Sequence, residues 1–288
     1  MKPALLKVPT REIHSFSARR DMLPNINSSW HYHEELELIW FQKGQGMQFV
    51  GDDIRPFSKG GIVLVGSNLP HFWRYESGSE EDSQAPYSTV IHFKETCLGG
   101  GFLDIPEAAA LRGVVQRARR GLHVPEHSSA AIAAEITQIM ETDGIERIIA
   151  LLRCLAKLSA NPDVTELASP GFSPDLDPRT GSDRINRVFD HIFRNFRDTL
   201  PLAEVAGIAA MSENSFCRYF KSKTGKTYLQ FLSEVRVGAA CKLLMESRLS
   251  IKEICFDSGF SDYTSFHRIF KKHTGKTPQQ YCRSVFAE

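Results

Sequence analysis

Three features that would each define a class of protein are missing from this sequence of 288 residues. No apolar run approaches the roughly 20 residues needed to cross a bilayer, and the start of the chain is mixed and charged rather than signal-like. These absences argue against a membrane protein and predict a cytoplasmic one. The six cysteines form no Cys-x-x-Cys pair, which argues against a zinc knuckle or a disulfide framework.

The third missing feature is net charge, which is only +1 over the whole chain. Residues 181–288 nevertheless hold 17 Lys and Arg against 11 Asp and Glu, whereas residues 1–180 hold 18 against 23. The carboxy-terminal part is therefore basic, as expected of a unit that approaches a polyanion. A chain about twice the usual domain size also predicts two folding units.

Hydrophobic patterns divide the chain into four segments. Short apolar runs broken by glycine predict an antiparallel β barrel or sandwich over residues 1–105. Apolar residues at helical spacing predict two amphipathic helices over residues 106–160, with apolar stripes that form either core or a dimer seam. Residues 161–183 are rich in Pro, Gly, Ser and Asp and predict a linker, and residues 184–288 predict an all-helical unit.

An internal repeat lies in this last segment. Residues 214–231 and 264–281 are identical at ten positions when they are compared at an offset of 50, which indicates a duplicated supersecondary unit. Each copy predicts a short helix, a tight turn and a second helix, which is a helix-turn-helix. Ser212 and Ser261 are the predicted N-caps of the two second helices, and a continuous helical pattern joins the copies.

The second helix of each copy has phenylalanines on its inner face and polar residues on its outer face. Arginine can grip guanine with two parallel hydrogen bonds, and lysines attract phosphates, so the outer faces predict DNA contacts. The alternative is that they are ordinary solvated helix surfaces. The predicted contact residues are Ser212, Asn214, Ser215, Cys217, Arg218 and Lys221 in the first copy, and Ser261, Thr264, Ser265, His267, Arg268, Lys271 and Lys272 in the second.

Two helix-turn-helix units joined by a long helix, with Arg-x-Phe-Lys and Thr-Gly-Lys-Thr in each, resemble the AraC family of transcription regulators. The resemblance covers residues 184–288 and implies recognition helices near 212–223 and 261–273, with Arg218 and Arg268 as the leading base readers. It further implies double-stranded promoter DNA and RNA polymerase as partners, an activator or a repressor rather than an enzyme, and a homodimer formed through residues 106–160.

The amino-terminal segment carries a second resemblance. His31, His33, Glu37 and Gly44 match the first cupin motif, while Gly60 and His71 fit the spacing of the second, in which Gly66 and Asn68 replace the usual Pro and Gly. In a barrel, His31, His33 and Glu37 share one face and with His71 converge on one divalent metal ion.

Two other interpretations of the barrel residues stay open. In regulators that resemble cupins, the same histidines and glutamate contact a small-molecule effector such as a sugar without a metal, and Trp73 would add to that site. Trp30, Trp40 and Trp73 predict either a stacking wall for a ring-shaped ligand or barrel core. In the second interpretation, His31, His33, Glu37 and His71 bind no ligand and only pack in the barrel interior.

The expected fold is multi-domain α+β, with an amino-terminal antiparallel cupin-like β barrel followed by helices and a carboxy-terminal all-α domain. The expected function is sequence-specific transcription regulation under the control of a small effector. Two alternatives remain: a cupin metalloenzyme with an appended DNA-binding module, and a constitutive regulator with an empty barrel.

Overall fold

A computed structural model describes residues 4–6, 8, 14–23, 29–75, 87–172, 183–246 and 249–285. The chain divides into two compact units, with the main boundary at residues 178–179. Among the described residues, none of the helices combines the length and the apolar content that a membrane span requires.

Two β-sheets build the amino-terminal unit. Its described strands are β1 (Ala4–Leu5), β2 (Ser17–Asp21), β3 (His31–Tyr32), β4 (Leu36–Phe41), β5 (Gly46–Val50), β6 (Asp53–Phe57), β7 (Ile62–Val65), β8 (His71–Tyr75), β9 (Ser88–Phe93), β10 (Leu122–Val124) and β11 (Thr165–Glu166). One sheet has the order β1-β3-β8-β5-β6 and the other β11-β10-β7-β4-β9-β2. All described pairings are antiparallel except the short parallel pair β1-β3, as the sequence predicts.

Side chains alternate between the two faces of each strand, and this alternation separates two cores. Ile39 and Phe41 of β4 lie in an interior core with Trp73 and Tyr75 of β8, so the two sheets face each other across it. Leu36 and Leu38 of the same β4 point the other way, into a core shared with the following helices. The six-stranded sheet is therefore covered on both faces, which explains its nearly continuous apolar strands.

Three helices follow β9: α1 (Ala109–Ala118), α2 (Ala130–Glu141) and α3 (Gly144–Ala160). The last two match the two predicted amphipathic helices. Helix α1 and strand β10 were missed, because ten and three residues are too short for a clear periodic signal.

The structure differs from the linker interpretation for the first part of residues 161–183. Strand β11 lies in this segment and pairs with β10. Leu167 and Ala168 are buried in the interior core. The Glu166 carboxylate also accepts from Arg117 and Arg120, which fastens this segment to the barrel unit. Polar composition suggested a linker, but tertiary pairing fixes residues 161–172 in place.

The carboxy-terminal unit is all-helical, as predicted. Its helices are α4 (Asp183–Asn195), α5 (Leu202–Ile208), α6 (Glu213–Thr224), α7 (Tyr228–Glu246), α8 (Ile251–Asp257), α9 (Tyr263–Thr274) and α10 (Pro278–Val285). Helices α5 and α6 form the first helix-turn-helix, α8 and α9 form the second, and α7 joins them.

The two turns show why the copies are not identical. Ala210 adopts φ 50° where the second copy has Gly259 at φ 88°, so the first turn accepts a left-handed residue with a side chain. The second turn is also one residue longer. As a result Ser212 is the N-cap of α6, but the N-cap of α9 is Asp262, whose carboxylate accepts from the Ser265 backbone N–H at 2.6 Å. The prediction of Ser261 as the cap was wrong.

The shared Thr-Gly-Lys-Thr motif has a structural role. Gly225 ends α6 at φ 72° and Gly275 ends α9 at φ 73°, and each glycine N–H donates to a lysine carbonyl at 2.9 Å. Thr224 Oγ1 donates to the Phe220 carbonyl at 2.9 Å, and Thr274 makes the equivalent bond. The repeated motif therefore shapes the exit from each second helix.

Candidate DNA interface and barrel site

Helices α6 and α9 present the same arrangement of inner and outer residues. Phe216 and Phe220 are fully buried in the first unit, and Phe266 and Phe270 in the second. Because these rings fix the rotation of each helix, most of the predicted contact residues face solvent. The exposed members of the predicted contact set are Ser212, Asn214, Cys217, Arg218, Lys221, Ser261, Thr264, Arg268, Lys271 and Lys272.

Three predicted contact residues are half-buried instead. Ser215 Oγ accepts from Ser212 Oγ at 3.0 Å, and the Ser265 backbone is bound by the Asp262 cap. The His267 ring packs on Tyr263, with ring centroids 4.6 Å apart, and its Nε2 is buried without a hydrogen-bond partner among the described residues. The other ten predicted residues are exposed and form the candidate DNA surface.

Helix α7 sets the separation of α6 and α9. Its 19 residues correspond to about 28 Å of helix, while adjacent major grooves on one face of DNA are about 34 Å apart. Arg236 of α7 donates from Nε to the Phe196 carbonyl and from Nη2 to the Asp198 carbonyl, both at 2.8 Å. A side chain at Gly259 would lie 2.4 Å from that same Phe196 oxygen.

A second contact spans the two helix-turn-helix units. Glu234 of α7 pairs with Lys226, which follows α6, and with His273 of α9 at 3.8 Å. These junction residues were missed, because their pairing depends on helix packing and leaves no pattern in the sequence. Together with Arg236 they hold both units on one linker helix.

The barrel interior brings together the four predicted ligands. His31 and His71 are direct cross-strand partners between β3 and β8, and His33 and Glu37 enter from the same side. The nitrogen and oxygen atoms that the four side chains offer all lie within 4.8 Å of one another. Each side chain is at most 2% exposed.

Backbone contacts determine the tautomers of the three histidines. Each Nδ1 lies within hydrogen-bonding distance of a carbonyl: His31 with Ser29 at 2.7 Å, His33 with Glu35 at 2.9 Å and His71 with Leu69 at 2.8 Å. A carbonyl only accepts, so each Nδ1 carries a hydrogen, and each ring turns its Nε2 inward. Histidine ligands of metals are oriented in this way.

The inward atoms are therefore the Nε2 atoms of the three histidines and a carboxylate oxygen of Glu37. Glu37 Oε2 lies 3.3 Å from His33 Nε2 and 3.6 Å from His71 Nε2, and the Nε2 atoms of His31 and His71 have no hydrogen-bond partner among the described residues. Three imidazole nitrogens and one carboxylate oxygen are a ligand set typical of a first-row transition metal. The donor set thus fits a divalent cation.

Further residues hold Glu37 in position. Trp73 Nε1 donates to Glu37 Oε1 at 2.9 Å, and His92 Nε2 lies 2.8 Å from Glu37 Oε2. Arg19 Nη1 donates to His92 Nδ1 at 3.2 Å, so the hydrogen of His92 is on Nε2 and points at Glu37. His92 was missed, although it lies in a predicted strand, because only the β4-β9 register places it opposite Glu37.

Charge in this cluster is set by burial and by the neighbouring rings. Burial alone would raise the pKa of the Glu37 carboxyl, but His71, His33 and His92 together hold it well below its usual value, so Glu37 is a carboxylate. Burial lowers the pKa of His31 to about 3, which keeps this ring neutral. Burial also lowers the pKa of His92, against the opposing effect of Glu37.

The three tryptophans do not form a common wall. Trp30 packs edge-on against Phe72, and Trp40 packs against the core between sheet and helices. Trp73 alone of the three belongs to the interior core. Asn68 has φ 60°, a left-handed conformation that asparagine tolerates, so it can stand where the cupin motif usually has glycine.

Comparisons with known proteins agree with this architecture. A helix-turn-helix domain model matches residues 205–284. The HTH-type transcriptional activator RhaR of Escherichia coli K12 is 31% identical over 262 residues, covering 91% of this chain and 89% of that protein. RhaR of Shigella dysenteriae serotype 1 shows the same identity and coverage.

The solved structures that resemble this chain have lower sequence identity to it than RhaR has. The DNA-binding domain of AdpA, solved with a target DNA, is 29% identical with a TM-score of 0.36, covering 37% of this chain and 96% of that one. ToxT of Vibrio cholerae is 13% identical with a TM-score of 0.37, covering 94% and 99%. The similarity to RhaR extends over nearly the whole of both proteins, and the chain therefore belongs to the AraC family of DNA-binding transcription regulators.

Proposed function

We propose that this regulator is controlled by an effector bound in its barrel, and that a divalent metal ion held by His31, His33, Glu37 and His71 is part of the effector site. The observation that carries the proposal is the convergence of three imidazole nitrogens and one carboxylate oxygen, all buried and all within 4.8 Å of one another. A bound divalent ion would be coordinated by these four atoms and would offer a Lewis-acidic position to a small ligand.

The burial of these residues favours a metal ion over a sugar as the direct contact. All four side chains are at most 2% exposed, so a sugar could reach them only after covering residues had moved. An ion needs space for a single atom. The curated relatives are transcriptional activators, so we propose that the barrel senses its ligand rather than transforms it. We also propose that this protein activates transcription, contacts RNA polymerase and acts in the cytoplasm.

The proposed control requires that the effector bind two states of the protein unequally, since otherwise occupancy shifts no equilibrium. The exposed residues of α6 and α9 are the proposed DNA contacts. Arg218 and Arg268 read bases, and lysines such as Lys221, Lys271 and Lys272 attract phosphates.

DNA affinity with and without metal tests this proposal. We expect the full-length protein to bind its preferred DNA site with affinities that differ by roughly 5- to 150-fold between metal-loaded and chelator-treated samples, the usual range for coupling between sites. His33→Ala should remove the difference. Equal affinities in both states of the parent protein would contradict metal-linked control.

A dimer surface is proposed on α3. Ile145 is 66% exposed, and Ile149 and Leu152 are only half-buried, although the helix also buries Leu151, Leu155 and Leu158. A second apolar stripe on a helix that is already packed is typical of an interface. Sedimentation should show two chains per particle for the parent and one chain for Ile145→Glu, and a monomeric parent protein would remove the assignment.

A further inference from the structure

Gln48 is a buried amide in the barrel that the proposed metal site does not use. It lies at the middle of β5 and is completely shielded from solvent. Neither its Oε1 nor its Nε2 has a hydrogen-bond partner among the described residues. Leaving both ends of a buried amide unpaired costs folding free energy, so this side chain requires another explanation.

Strand register places Gln48 on the interior face beside the metal ligands. It is the direct cross-strand partner of Trp73, whose indole N–H donates to Glu37. Direct partners project from the same face with Cβ atoms about 5 Å apart. His71 lies opposite Val50 and is therefore the diagonal neighbour of Gln48, at a Cα separation of about 7–8 Å. A small ligand that coordinates the metal after the covering residues have moved would lie within reach of the amide.

Charge indicates the chemical class of that ligand. Three neutral imidazoles and one carboxylate around a divalent ion leave a net charge of +1 in a fully buried site. Isolated charge is costly in an apolar interior, so an anionic ligand is favoured. A carboxylate would coordinate the ion through one oxygen and accept from Gln48 Nε2 with the other, in a charge-assisted hydrogen bond.

We propose that Gln48 is a specificity residue for a small carboxylate that coordinates the barrel metal, and that this carboxylate is the effector. The proposal rests on the proposed function, because it requires both the ion and an effector site in the barrel. It explains why an amide stands beside Val50 on the interior face of β5, where a leucine would pack without an unpaired polar atom.

Co²⁺-loaded full-length protein tests the proposal, because the visible spectrum of Co²⁺ reports on its coordination. Acetate, lactate and pyruvate are titrated separately into the parent and into Gln48→Leu. We expect a saturable spectral change in the parent with at least one of the three, and binding weaker by about tenfold or more in the variant. Metal-free Gln48→Leu should also melt at the same or a higher temperature than the parent, because it loses two unpaired polar atoms.

Gln42→Leu is the matched control. Its Oε1 accepts from Thr89 Oγ1 at 2.5 Å, and Thr89 lies on the face of β9 opposite His92, so this variant should melt lower and titrate like the parent. Co²⁺ retention without any carboxylate response, or equal titration of Gln48→Leu and the parent, would overturn the role of Gln48 and leave the metal site standing. Failure of the parent to retain Co²⁺ would overturn the proposed metal site and this inference with it.

Discussion

Replacing Arg268 with alanine is expected to weaken binding of the full-length protein to its preferred DNA site by about 1–3 kcal/mol, which corresponds to roughly 5- to 150-fold in affinity. Arg268 is exposed on α9, and the buried Phe266 and Phe270 fix the face from which it projects. A guanidinium in the major groove pairs with guanine O6 and N7, and alanine leaves both acceptors unpaired. Arg218→Ala should have an effect of the same size at another base pair.

Two controls separate base reading from charge. Lys272→Ala should weaken binding to all sequences alike and reduce the salt dependence of binding, because a lysine that contacts phosphate carries no sequence information. Arg119→Ala removes the same charge from an exposed position at the end of α1 in the other unit and should leave DNA affinity unchanged. If both recognition-helix arginine variants bind as well as the parent, the assignment of α6 and α9 is wrong.

Saturation of the barrel with a divalent transition metal is expected to raise the melting temperature of the protein. Free metal at about 1,000 times its dissociation constant stabilises the folded state by about 4 kcal/mol. For a unit of this size that corresponds to a shift of roughly 8–16 °C. The physical reason is that the ion is coordinated by four inward side chains, in a site that exists only in the folded barrel.

Variants of two buried acids isolate this effect. Glu37→Gln keeps the shape of the side chain but removes the anionic ligand, and should lose most of the metal-induced shift. Glu135→Gln removes a buried carboxylate of α2 that pairs with Lys157, and should keep the shift while lowering stability without metal. Metal-independent melting of the parent across Mn²⁺, Co²⁺, Ni²⁺ and Zn²⁺ would contradict the site.

Local sequence signals were sufficient to predict the helix-turn-helix units. Ten identities at an offset of 50 define the repeat, and glycines at 225 and 275 define the helix ends that the structure confirms. The one misplaced cap came from turn length. An extra residue before α9 moves the cap from Ser261 to Asp262, and either residue type is a good cap, so composition alone could not choose between them.

The barrel site could be predicted only in part, because cross-strand pairing has no sequence signature. The spacing of His31, His33, Glu37 and His71 was visible, and the structure brings all four together. His92 and Gln48 face the same interior only by virtue of register. For the same reason the sequence did not predict β11. This strand pairs with β10, although the composition of the segment after Ala160 is typical of a linker.

The central claim is that two duplicated helices read two neighbouring segments of one DNA duplex. Selection of preferred sites from a random DNA pool by the full-length protein tests it most directly. The account predicts two clusters of preferred bases about 10 base pairs apart, with Arg218→Ala blurring one cluster and Arg268→Ala blurring the other. A single cluster that neither variant alters, or no enrichment over the starting pool, would contradict it.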